Sequence, residues 1–145
     1  MKTYNLDMHV SNNRGNLSVI SHNSLPDTIN RTYVISNVPK DANRGGHAHH
    51  NCVQYLHCIK GQCDMTLDNG HSKETIRLRS ERGVVLADKM VWHDLYNFSD
   101  DCVLMVMATL PYEETDYIRD YDEFKSCVNS TPPTQPVVTP QSQKE

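Results

Sequence analysis

Hydrophobic and polar positions alternate with a period of two along most of the chain. Short runs rich in Val, Ile, Thr, Tyr and Leu occur at Leu17–Ile20, Thr32–Ser36, Val53–Ile59, Cys63–Leu67, Glu74–Leu78, Val84–Leu86, Val91–Tyr96 and Val103–Ala108. Turn-forming residues separate them at a spacing of roughly 8–12 residues, which predicts an all-β sandwich or barrel of short antiparallel strands. Asp68-Asn69-Gly70 lies between two runs and predicts a hairpin, because Asn-Gly supplies the positive φ values of a tight turn. One segment changes period. Between Tyr117 and Val128 the apolar residues Tyr117, Ile118, Tyr121, Phe124 and Val128 recur mainly at intervals of three and four. That spacing predicts a short C-terminal helix with Thr115 or Asp116 as its N-cap. From Asn129 the pattern lapses into NSTPPTQPVVTPQSQKE, which holds four of the seven prolines. A segment so poor in large apolar residues cannot offset its ordering entropy, so the expected organisation is a folded domain over 1–128 and a disordered tail over 129–145.

Composition narrows the function. At 145 residues the chain suits one domain with a real core. Its 14 Lys+Arg against 18 Asp+Glu leave a net charge of −4, which argues against bulk nucleic-acid binding. No apolar run approaches the roughly 18–20 residues of a membrane span, and MKTYNLDMHV lacks the apolar core of a signal peptide. The five cysteines form no CxxC pair, and four of them sit in β-like runs, so free buried thiols in a reducing, cytoplasmic setting are expected. The eight histidines are the unusual feature.

Those histidines cluster. Arg44-Gly45-Gly46-His47-Ala48-His49-His50 precedes the Val53–Ile59 run, and His93 follows Trp92. In an extended chain alternate side chains share a face, so His47 and His49 point the same way. The same parity continues through Asn51, Val53, Tyr55 and His57, leaving Gln54 on the other face unless a bulge intervenes near Asn51. Imidazoles converging from two segments make either a metal site or an acid/base site.

The spacing resembles the cupin motifs. His47-Ala48-His49 is followed by four residues, Gln54, six residues and Gly61, as in G-x5-H-x-H-x3,4-E-x6-G. The second motif is partly kept from Gly83, with three residues between His93 and Asn97. The resemblance implies a cupin jelly-roll barrel. Gln54 stands where metal-binding cupins carry glutamate, and a neutral amide offsets no cation charge. This turns the expectation from metal ligation towards proton transfer.

At full length the chain resembles the dTDP-sugar 3,4-ketoisomerases among the cupins. The residues that carry this are Arg14-Gly15-Asn16-Leu17, Arg31-Thr32-Tyr33, Arg44-Gly45-Gly46-His47-Ala48-His49, Gln54, Asp68-Asn69-Gly70, Trp92-His93, Asn97-Phe98-Ser99 and Tyr112 through Phe124. The resemblance implies an isomerase that moves the keto group of dTDP-4-keto-6-deoxyglucose from C4 to C3 through an enediol. It also implies a homodimer whose N-terminal strands pair with the partner subunit, and a reaction with no cofactor and no metal. The chemistry needs a carbon base, an acid for oxygen and oxyanion donors. His49 is expected as the carbon base and His47 as its acid/base partner, with their order open. Tyr33 donates to an enediolate oxygen or simply lines the barrel. Arg31, Arg44 and Arg14 are candidates for the diphosphate. Gln54 and His93 are candidate substrate contacts, and Trp92 either stacks on thymine or packs at the barrel mouth. The alternatives are a metal-dependent dioxygenase-like cupin using His47, His49 and His93, and a sugar-binding cupin without catalysis.

Overall fold

The computed structural model describes residues 2–130, which form twelve strands and one α-helix. Strand β1 (Thr3–Tyr4) is followed by a hairpin of β2 (Met8–Asn12) and β3 (Gly15–Val19). Then come β4 (Arg31–Ser36), β5 (Arg44–His49), β6 (Gln54–Lys60), β7 (Gln62–Asp68) and β8 (Lys73–Arg79). Strands β9 (Val84–Ala87), β10 (Trp92–Tyr96), β11 (Val103–Ala108) and β12 (Tyr117–Ile118) lead to helix α1 (Tyr121–Ser130). Two five-stranded antiparallel sheets run in the orders β1-β9-β6-β11-β4 and β12-β5-β10-β7-β8, while β2 and β3 pair only with each other. The inward residues of both sheets merge into one core: Leu56, Cys58, Leu104 and Val106 from the first, Met65, Ile76, Leu78 and Leu95 from the second. This is the all-β, cupin-type jelly roll with a short C-terminal helix that the sequence predicts. Among the described residues no helix is long and apolar enough to cross a membrane.

Gly61 makes the corner at which the chain leaves one sheet for the other, between β6 and β7. Its φ is +70°, and a Cβ there would stand 2.4 Å from Ser99 Oγ and 2.8 Å from Cys102 Cα. Only glycine satisfies both the backbone and the space. Cys52, Cys58, Cys63 and Cys102 are buried free thiols. Burial pushes the Cys58 thiol up to about 12, so it behaves as a small hydrophobe.

All eight predicted runs are strands, but four strands were not predicted. Among them, β5 has the sequence Arg-Gly-Gly-His-Ala-His, which carries no apolar alternation to detect. The Asp68–Lys73 pair closes a four-residue loop over Asn69–Ser72, not a two-residue turn, and only Gly70 in it takes a positive φ. The helix begins four residues later than expected. Tyr117 and Ile118 instead pair with His49 and Ala48, and the cap is Asp120, whose Oδ1 accepts the Glu123 amide at 2.9 Å. Phe124 is fully buried against Ala48, Trp92 and Ile118, worth roughly 2–3 kcal/mol of apolar transfer, and pins α1 to the outer face of β5 and β10. The helix runs through Asn129 and Ser130; the rest of the expected tail lies outside the described residues.

Candidate active site

A cavity of about 420 Å³ opens between the two sheets. Tyr33 and Gln54 reach it from β4 and β6 of one sheet, and His47 and His93 from β5 and β10 of the other. The aim of His47 is set locally. It pairs with His93, whereas Gly45 pairs with Asp94, so Gly46 is the extra residue of a bulge. Gly45 has φ +81°, and a Cβ there would meet the His93 carbonyl oxygen at 2.8 Å. Bulges redirect side chains, and this one turns His47 towards the cavity.

The strand parity resets between β5 and β6. The chain changes sheets after His49, so Gln54 faces the same cavity as His47, while Tyr55 belongs to a separate core cluster and His57 Nδ1–H donates to the Gly83 carbonyl oxygen, 2.8 Å away. Gln54 is 1% exposed, and its Nε2 donates to Tyr33 Oη at 3.0 Å.

His49 is in the cluster but behind the cavity wall. It is 3% exposed, and its ring lies 5.0 Å from His47 and 4.4 Å from Tyr117, both of which line the cavity. Its Nδ1 is 3.0 Å from Asp116 Oδ2. A carboxylate only accepts, so Nδ1 carries the proton and Nε2 the lone pair. Asp116 is itself buried and accepts the backbone amides of Asn51 at 2.8 Å and Cys52 at 3.2 Å.

Burial is the first cause of the low imidazole basicities. The His47 pKa is lowered to about 3, with His93, His49 and Arg119 adding repulsion; that of His93 is lowered to about 4, with His49 adding. His49 is lowered by burial against an opposing pull from Asp116. All three are therefore neutral at pH 7. Burial raises the Tyr33 pKa, so its phenol stays protonated.

Arg31, Arg44 and Arg119 line the same cavity. Arg31 stacks 5.3 Å above the Tyr33 ring centre, and its Nε is buried without a partner. Arg119 stacks 4.2 Å from the Tyr117 centroid and is held bidentately by Glu114 at 2.7 and 2.9 Å.

Two expected substrate contacts are not at the cavity. Trp92 points to the opposite face of β10 from His93, is 9% exposed, packs on Tyr121 and Phe124, and gives its Nε1–H to Asp94 at 3.1 Å. Alternation along the strand decides this: with His93 inward, Trp92 faces α1, which leaves no ring face for thymine. Arg14 sits in the β2–β3 turn, where its amide donates to Asn12 Oδ1, and it borders only a shallow depression formed by the hairpin itself. Conversely, Arg119 and Asp116 were missed. The spacing predicts a helix from Tyr117 to Val128, whereas Tyr117–Ile118 is extended; strand parity from Tyr117 puts Arg119 on the cavity side.

One ring nitrogen from each of His47, His49 and His93 lies within 4.8 Å of the others, the layout of a cupin metal site. The rest of the donor set does not fit a resident divalent cation. Among the described residues no carboxylate lines the cavity, Gln54 offers only a neutral amide oxygen, and three guanidinium groups share the wall. Such a wall repels a cation and attracts a polyanion.

The molecule is thus a cupin-type barrel with a neutral histidine cluster and three arginines around one cavity. It belongs to the FdtA family (WxcM-like, C-terminal), whose model matches residues 1–129. The chain is 40% identical over 120 residues to the TDP-4-oxo-6-deoxy-α-D-glucose-3,4-oxoisomerase of Aneurinibacillus thermoaerophilus, covering 82% of this chain and 86% of the relative. A 3,4-ketoisomerase from Helicobacter canadensis superposes with a TM-score of 0.82 at 35% identity, over 89% of this chain and 97% of the other. The 3,4-ketoisomerase QdtA from Thermoanaerobacterium thermosaccharolyticum, solved with TDP, gives 0.81 at 31% identity over 86% and 91%.

Proposed function

We propose that this enzyme is a TDP-4-keto-6-deoxyhexose 3,4-ketoisomerase. The observation that carries the reading is that His47 and Tyr33 face one cavity from opposite sheets, beside Arg31, Arg44 and Arg119. The substrate hydrogen at C3 is acidic because it lies α to the C4 ketone. His47, neutral and cavity-facing, removes it through Nε2, since its Nδ1 is buried. This reverses the order expected from the sequence, where His49 was the base. Tyr33 donates its proton to O4 as the enediol forms and recovers one from O3, while the proton on His47 is delivered to C4. The sum moves hydrogen from C3 to C4 and from O3 to O4, and nothing is consumed. Arg31 lies close enough to Tyr33 to stabilise the transient phenolate. The arginines bind the diphosphate of the nucleotide, and Gln54 and His93 contact the sugar.

A homodimer is part of this reading. Met8, Val10 and Leu17 on the β2–β3 hairpin are large, apolar and exposed in the single chain, as are Val34 and Ile59. A hairpin that joins neither sheet is marginal alone, and a second copy would cover it. The buried thiols support a reducing, cytoplasmic setting. Incubation with TDP-4-keto-6-deoxyglucose, followed by NMR, should show a 3-keto product. Binding of the nucleotide sugar with no change in its spectrum would instead identify a non-catalytic sugar-binding protein.

A further inference from the structure

Two ring nitrogens in the histidine cluster are buried without partners: Nδ1 of His47 and Nε2 of His49. Orphaned polar atoms of this kind are costly and call for an explanation. We infer that Asp116, acting through His49, fixes the tautomer of His47, so that Asp116 and His49 are positioning residues for the carbon base. The inference rests on the assignment of His47 as that base.

The chain of constraints begins at the backbone. Asp116 is 8% exposed and is anchored by the amides of Asn51 and Cys52, where the chain leaves β5. Its Oδ2 fixes the proton of His49 on Nδ1 and leaves a lone pair on Nε2. The His47 ring lies edge-on to that of His49, at 5.0 Å and 86°. A lone pair beside it favours the His47 tautomer with hydrogen on the buried Nδ1, and this leaves the His47 Nε2 lone pair free for the cavity. The two orphans are thus complementary in kind, a donor on His47 and an acceptor on His49. Catalytic hydrogen bonds of this kind often tighten only with substrate in place. Once His47 has taken the C3 proton, its imidazolium has the His49 lone pair and the Asp116 carboxylate behind it. No further proton moves along this chain.

Asp116→Asn tests the inference. One amide oxygen can still accept from the Asn51 backbone, while the NH2 group donates to His49 Nδ1 and reverses its tautomer. Nitrogen-15 NMR of labelled histidines should then show His47 changing from Nδ1–H in the wild type to Nε2–H. The kcat should fall by about 100-fold, with KM and TDP affinity within about threefold of wild type. His49→Gln is the second variant; it leaves the Asp116 backbone bonds in place and should lose kcat similarly. The inference is overturned if either folded variant keeps kcat within about threefold of wild type, or if wild-type His47 carries its proton on Nε2. The tautomer is read without substrate, so it stands apart from any failure of the proposed isomerase activity.

Discussion

His47 and His93 stand directly opposite one another across β5 and β10, with ring centres 4.8 Å apart at 79°. Burial is the largest cause of the low proton affinity of both; His93 and His49 lower that of His47 further, and His49 lowers that of His93. The histidines that line the cavity therefore stay uncharged at neutral pH, beside Arg31 from one sheet and Arg44 and Arg119 from the histidine side. In the proposed function the arginines hold the diphosphate and the sugar meets bases that hold no proton.

This neutrality has a consequence for stability. His93 is 3% exposed, and its folded-state pKa of about 4 lies below the unfolded value of 6.5, so the unfolded chain takes up the proton first. The stability is complete above about pH 6.5 and is lost as pH falls towards 4, by about 2 kcal/mol at pH 5 for this group. Thermal unfolding at pH 7.5 and pH 5 should show a larger loss for the wild type than for His93→Gln. Parallel losses in the two proteins would refute the buried-neutral assignment.

Arg31 should dominate anion binding, because its Nε is desolvated before any ligand arrives. Arg31→Lys keeps the charge but loses the planar fork, and should weaken TDP binding by about 10-fold or more in calorimetry. An unchanged affinity would move the diphosphate to Arg44 and Arg119.

Trp92 should matter to folding and not to binding. Trp92→Ala empties the space against Tyr121 and Phe124 and should cost about 3 kcal/mol, a drop of about 10 °C in Tm for a chain of this size. The folded fraction should bind TDP as the wild type does. A selective loss of TDP affinity at unchanged Tm would restore Trp92 to the site.

The proposed dimer rests on the hairpin. Replacing Val10 and Leu17 together by Asp should convert a dimer into monomers in light scattering, since both side chains are exposed on the lone chain. A monomeric wild type would contradict this directly.

Strands whose inner face is apolar were legible from the sequence, since Val103–Ala108 and Cys63–Leu67 alternate into the core. The strand that matters most, β5, was not: glycines and histidines hold its register through a bulge and the partner β10, which no local pattern announces. His47 and His49 were found from their spacing, and their shared face is real. Their different depths are tertiary. His49 is covered by Tyr117 and tied to Asp116 from a segment 67 residues away, a relation no spacing encodes. Period misled at Tyr117–Ile118, where two extended residues before a helix imitate its first turn. That error hid Arg119 and Asp116 together.

The central claim is that His47 removes the C3 hydrogen. The measurement that bears on it most directly is NMR of TDP-4-keto-6-deoxyglucose in D2O, with wild-type enzyme and with His47→Asn, at matched TDP affinity. The wild type should incorporate deuterium at C4 of the 3-keto product and at C3 of recovered substrate, and His47→Asn should incorporate none. Exchange by His47→Asn at a rate near that of the wild type would contradict the account.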